Sequence, residues 1–159
     1  IMGTVKTDSF STTYTNEQYA LGSLRTQPAD EVTAADASLK GDRVWMFVKA
    51  SSAGFSANDL LERDSTSDPF QAKTSSASAA LKRILLVGVA DHAIAANQYG
   101  WVIVQGACGV KTASVSAGNT LCSKATAGTA EAASTGGAVF GYATSATSGG
   151  LSDAYIDLQ

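Results

Sequence analysis

The apolar residues of this 159-residue chain gather in short β-branched and aromatic runs, separated by clusters of Gly, Ser, Thr, Asn and Asp. The most pronounced pair is Ile84–Ala90 and Trp101–Gly106, joined by a small, polar, glycine-closed connection over 91–100. Runs of that composition, bounded by turn residues, predict strands. Neither run alternates cleanly between apolar and polar, so both faces should be covered, in a sandwich core or beneath a neighbouring subunit. The two are expected to form the central pair of a β-domain. A third strong run, Arg43–Lys49, follows the turn residues Lys40-Gly41-Asp42. Strand alternation assigns Val44, Met46 and Val48 to one face and Trp45 and Phe47 to the other. Trp45 and Trp101 both sit inside apolar strands and are expected to be buried.

After the central pair the pattern becomes short strand, turn, short strand, at intervals of about 8–12 residues. Strands are predicted over Ala107–Ala113, Thr120–Lys124, Gly137–Thr144 and Ala154–Leu158. The core is assigned to Val44–Lys49, Ile84–Ala90, Trp101–Gly106 and Val139–Thr144. Such short returns favour antiparallel neighbours. The Ser-, Thr- and Asp-rich segment from Arg63 to Ala80, with Pro69 in its middle, predicts a long surface loop, and Thr126–Gly136 a wide turn or loop. Three segments echo one another: Phe55-Ser56-Ala57-Asn58-Asp59-Leu60, Ile94-Ala95-Ala96-Asn97-Gln98-Tyr99 and Val115-Ser116-Ala117-Gly118-Asn119-Thr120-Leu121. Asn and Gly tolerate positive φ, so each copy predicts the same kind of turn between strands.

Residues 1–40 differ from the rest. Apolar residues are sparse there, and such a segment is hard to bury by itself, so it is expected to be either an extended arm that orders against a partner or a loosely packed edge, and the arm is the reading taken. Phe10, Tyr14, Tyr19 and Leu21 are its candidate partner-binding anchors. Pro28-Ala29-Asp30-Glu31 could open a short helix, with Pro in the first turn and carboxylates at the amino end. The expected fold is thus all-β, a single-domain β-sandwich or β-barrel over 41–159 preceded by an extended N-terminal arm over 1–40.

Composition sharpens this. Charged residues make up 16% of the chain, below the roughly 25% of ordinary globular proteins. Eleven basic residues against fourteen acidic give a net charge of −3, with no Lys/Arg cluster to neutralise a phosphate backbone, so nucleic-acid binding is not expected. No apolar run reaches the roughly 18 residues of a membrane-spanning helix, and no membrane partner is expected. Met2-Gly3-Thr4-Val5-Lys6-Thr7 fits the bare myristoylation pattern, but Ile1 precedes the Met.

The candidate chemistry is thin. Cys108 and Cys122 are too few for a disulfide scaffold or a zinc site and are expected to be small buried residues, with a cross-strand disulfide as the alternative. Asp59, Glu62, Asp64 and Asp68 lack the spacing of a calcium loop and suggest a solvated acidic face; no metal is expected. His92, the single histidine, follows Asp91, yet no Gly-x-Ser-x-Gly elbow, phosphate-cradling loop or placed carboxylate pair accompanies it. No catalytic residue and no cofactor is assigned.

Val87-Gly88-Val89-Ala90, Ile94-Ala95-Ala96-Asn97-Gln98-Tyr99-Gly100-Trp101-Val102, Val104-Gln105-Gly106 and Ala117-Gly118-Asn119-Thr120-Leu121 resemble the decoration (cement) proteins of tailed-phage capsids. The resemblance covers about residues 84–158. It departs at Asn97-Gln98, where a Gly-Glu-like turn is usual, and in the long loop over 64–78. It implies a non-enzymatic virion structural protein on the outer surface of a phage capsid, bound to the major capsid protein and bridging its subunits. It also implies self-association as a homo-oligomer, a trimer before a dimer. The alternative is a receptor- or carbohydrate-binding module of a phage fibre, with Tyr99, Trp101 or Tyr142 stacking on sugars.

Overall fold

The computed structural model describes residues 9–34, 36–65, 68–76, 78, 83–133 and 137–159. Ten strands follow one another: β1 (Leu24–Gln27), β2 (Arg43–Ala50), β3 (Leu60–Arg63), β4 (Gln71–Thr74), β5 (Leu86–Val89), β6 (Tyr99–Lys111), β7 (Thr120–Ser123), β8 (Ala130–Ala132), β9 (Gly141–Ala143) and β10 (Leu151–Asp157). Short 3-10 turns at Ala29–Glu31, Ala37–Leu39 and Arg83–Leu85 are the helical elements among the described residues. The first of these is the turn that Pro28 and its acidic followers predict.

Hydrogen bonding runs β2–β4–β3–β5–β6 and back from β6 to β2, which closes a five-stranded barrel. The chain is therefore all-β, and of the two architectures expected it takes the barrel. Strand β6 is long enough to serve two bodies. Its first half, Tyr99–Gln105, pairs with β2, and from Gln105 onward it pairs with β10. From β10 a second sheet continues through β9 and β7 to β8, and β8 returns to the end of β6 through a Thr112–Ala130 bridge. Gly106 marks the change of partner. Its φ is 112°, and a Cβ there would lie 2.5 Å from the Asp42 carbonyl oxygen, so only glycine lets β6 pass this close to β2.

Alternation along the strands divides the core as the sequence implies. Met46 and Val48 point into the barrel with Leu61, Ala72, Val87, Val102 and Val104. Trp45 and Phe47 point outward and join Trp101, Ile103 and the apolar side of the second sheet. Trp45 is 2% exposed and Trp101 fully buried.

Several sequence expectations are corrected. The central pair is β2 with β6, which share six register partners; β5 meets β6 at Val89–Ile103. Ile84 and Leu85 lie in a 3-10 turn, not a strand, and Ile84 is 74% exposed. The predicted break between Trp101–Gly106 and Ala107–Ala113 does not occur, because Gly106 continues the strand. The expected loop from Arg63 to Ala80 contains β4, and β4 pairs parallel with β2. Its Gln71-Ala72-Lys73-Thr74 has no β-branched pattern until Thr74; barrel closure, a tertiary effect, recruits it. Likewise β8 lies within the expected loop over 126–136, and the strand expected over 139–144 shortens to Gly141–Ala143.

The repeated turn is real and more frequent than the three echoes. Backbone N–H donors of Ser23, Asp59, Gln98, Asn119 and Thr129 each bond the carbonyl three residues earlier, at 3.0–3.3 Å. In every copy the third residue alone has positive φ: Gly22 (81°), Asn58 (64°), Asn97 (60°), Gly118 (87°) and Gly128 (69°). This is type II geometry, which demands Gly or Asn at that place. In every copy a strand begins two residues later, at Leu24, Leu60, Tyr99, Thr120 and Ala130. Two copies also pair, through reciprocal Phe55–Ile94 backbone bonds of 3.0 and 3.1 Å.

Candidate interaction surfaces

The outward face of β2 and β6 is aromatic, and the segment 9–23 lies over it. Phe10 stacks on Trp45 with centroids 4.6 Å apart and meets Trp101 edge-on at 5.8 Å. Tyr19 contacts Phe47 at 5.2 Å and Trp101 at 5.1 Å, and Tyr14 contacts Phe47 at 6.0 Å. Reciprocal backbone bonds of 2.9 Å join Tyr14 to Tyr99, and two more tie Gly22 and Ser23 to Phe47. Phe10, Tyr14, Tyr19 and Leu21 are all partly buried against the chain's own core. The segment then enters the sheet as β1, antiparallel to β2.

A second surface is exposed. On β10 the small and apolar Ser152, Ala154 and Ile156 face inward, so Leu151, Asp153, Tyr155 and Asp157 face out. Tyr155 lies directly opposite Tyr142 of β9, and the rings stack at 5.9 Å and 22°. Tyr142 is 46% and Tyr155 38% exposed. Arg83 reaches Asp157 at 3.6 Å and donates to the Gln159 carbonyl at 3.1 Å, which ties the turn before β5 to that end of β10. Of the three aromatics considered for sugar stacking, Trp101 is fully buried and Tyr99 packs on Phe47, so Tyr142 alone presents an open face. Tyr155 was not marked by sequence, because its strand carries apolar residues on both faces.

The acidic residues between 59 and 68 do not form one solvated face. Asp59 and Glu62 are buried. Asp59 accepts from Ser56 N–H at 3.0 Å and Thr74 Oγ1 at 2.9 Å, and Lys111 Nζ lies on its other oxygen. Glu62 accepts from Ser76 Oγ at 3.0 Å and pairs with Lys73, which also reaches Asp64. Among the described residues no group of three His, Cys, Asp or Glu side chains could hold a metal. Among the described residues neither ring nitrogen of His92 has a hydrogen-bond partner, so Asp91 does not orient it as a base. Burial lowers the His92 pKa, and the Asp91 charge opposes that shift. Cys108 and Cys122 are buried and not bridged; burial pushes the Cys108 thiol up to about 12.

The site is thus a set of surfaces on a closed five-stranded β-barrel joined to a second antiparallel sheet. The chain shares this fold with the N base of head fiber gp8.5 of bacteriophage phi29, at a TM-score of 0.54 and 21% identity, over 74% of this chain and 96% of that one. No protein-family model matches the chain. No curated protein matches it in sequence.

Proposed function

We propose that the chain is a non-enzymatic virion structural protein of the outer surface of a phage head, a decoration protein that binds the major capsid protein and bridges its subunits. The observation that carries this is the fold shared with the phi29 head fiber base across 96% of that chain. The resemblance of the turn and strand motifs over 84–158 to decoration proteins of tailed-phage capsids supports it as well. So does the exposed Tyr142–Tyr155 pair, because solvent-facing stacked aromatics are suited to burial against another protein. Self-association as a homo-oligomer, a trimer before a dimer, belongs to the same proposal: a shell repeats one site many times, and several weak contacts per particle then suffice through avidity.

Cosedimentation of the purified chain with empty heads of the virus that encodes it tests this. Saturable binding at a stoichiometry set by shell symmetry is expected. Absence of binding, together with retention on a glycan array that Tyr142→Ala abolishes, would overturn it in favour of a carbohydrate-binding fibre module.

A further inference from the structure

Beside the covered aromatic face the structure holds a cleft of about 840 Å³, bounded by Ser9–Ser11 on one side and Pro28–Ala34 on the other. Register builds its floor. Arg25 of β1 is opposite Trp45 of β2, and Gln27 is opposite Arg43, so these four side chains share the barrel's outward face. Trp45 Nε1–H donates to Gln27 Oε1 at 3.0 Å, which fixes the indole.

The two arginines are short of acceptors. Each guanidinium offers five N–H donors, yet the described residues supply one hydrogen bond to the pair, from Arg43 Nη2 to the Leu39 carbonyl at 3.0 Å. Arg43 is 9% exposed, and its Nε is buried without a partner. The Asp91 carboxylate pairs with it only at 4.0 Å and is 41% exposed. Among the described residues Arg25 has no carboxylate or carbonyl partner; its guanidinium lies 4.8 Å from the centroid of Phe10 and 5.3 Å from that of Trp101, and its Nη1 is also buried and unsatisfied. Leaving such groups unpaired is costly, and a bidentate carboxylate is the acceptor that fits them best. The backbone gives the second half of the site. Strand β1 ends the sheet, with β2 as its single hydrogen-bonded neighbour, so its outer edge is open among the described residues. Leu24 on that strand is 56% exposed.

We propose that this cleft binds an extended acidic segment of a protein partner, its main chain adding to the open edge of β1 and a carboxylate seated on Arg25 and Arg43. Peptide-strand addition supplies main-chain affinity, and the arginines supply specificity. Because Arg43 Nε and Arg25 Nη1 are buried, the carboxylate would meet the other guanidinium N–H groups unless the cleft walls move. The chain's net charge of −3 disfavours a polyanion such as nucleic acid, whereas a single carboxylate is attracted locally, within the Debye length of about 8 Å.

The test uses the full chain and a capped octapeptide of alternating Val and Asp, with the Val/Asn peptide as control. Both tryptophans adjoin the cleft or Arg25, so their emission reports occupancy, and amide chemical shifts locate it. The Asp peptide is expected to shift residues 24–27 and 43–45 and to bind about tenfold or more tightly than the Asn peptide. Arg25→Gln should abolish that preference while the circular dichroism spectrum stays unchanged, and Thr26→Pro should weaken both peptides together. Equal binding of the two peptides, shifts confined to other faces, or full competition by inorganic phosphate at equal concentration would each overturn the proposal. None of these outcomes depends on head binding, so the two proposals fail separately.

Discussion

Asp59 illustrates how single residues tie the two bodies together. It sits in the turn before β3 and holds Thr74 of β4 and Lys111 at the end of β6, so one carboxylate links barrel strands to the strand that leads into the second sheet. Asp59→Ala removes the acceptor for two neutral donors and one ammonium, at a cost of about 2–4 kcal/mol, moderated because Lys111 is partly solvated. Urea midpoints should show that loss, and the Asp59→Ala/Lys111→Met pair should cost less than the sum of the single changes. His92 contributes to the loss of stability on the acid side. Its pKa is lowered in the folded chain, so folding favours the neutral ring. The stability is present above the ordinary value of about 6.5 and is lost as pH falls below it. Replacing His92 with Asn should flatten the urea midpoint between about pH 7.5 and about pH 5.5. Cys108 works in the opposite sense. With its thiol raised to about 12 from 9.0, stability declines as pH rises from the lower value towards the higher. At about pH 8 the folded chain should protect Cys108 from iodoacetamide, and rapid labelling at that position would contradict its burial.

At the scale of elements, five type II turns set where strands begin, and the third residue of each decides whether the turn closes. Asn97→Gly should leave stability within about 0.5 kcal/mol, whereas Asn97→Val should lose about 1–2 kcal/mol through left-handed strain, read as a fall in melting temperature. These turns were legible in sequence because Asn58, Asn97 and Gly118 carry the conformational requirement themselves. The faces of β2 were legible for a similar reason: Val44 to Val48 alternate in a way that any half-buried strand must. What escaped sequence was nonlocal. Nothing in Gln71–Thr74 announces a strand, because it is the barrel's need for a fifth member beside β2 that orders it. Arg25 and Arg43 are far apart in the chain and become neighbours only through the β1–β2 register. The N-terminal segment was read from its sparse apolar content as unable to bury itself. Its few aromatics nevertheless find a surface, because Trp45, Phe47 and Trp101 project outward from the barrel and need cover. Phe10→Ala should therefore cost about 2–4 kcal/mol and raise acrylamide quenching of the tryptophans. Deleting residues 1–25 exposes all three of those core aromatics, so loss of the segment should be felt first in folding and only then in any partner assay.

For the whole molecule, the architecture divides its tasks. The barrel is a packed core rather than a container, since Met46, Val48, Leu61, Val87, Val102 and Val104 fill it. The second sheet carries the exposed tyrosine pair on β9 and β10, and β1, which ends the strand order, has an open edge among the described residues. The proposed bridging role needs two or more separate contact faces, and the exposed tyrosine pair and the open edge of β1 are the two candidates. The most direct measurement is a cryo-electron-microscopy difference map between heads saturated with the chain and bare heads. The account predicts barrel-shaped density on the outer surface at every symmetry-equivalent site, touching at least two capsid subunits, and weakened when Tyr142 and Tyr155 are both changed to Asp. Bare outer surfaces at saturating chain, density inside the shell, or density touching one subunit alone would contradict it.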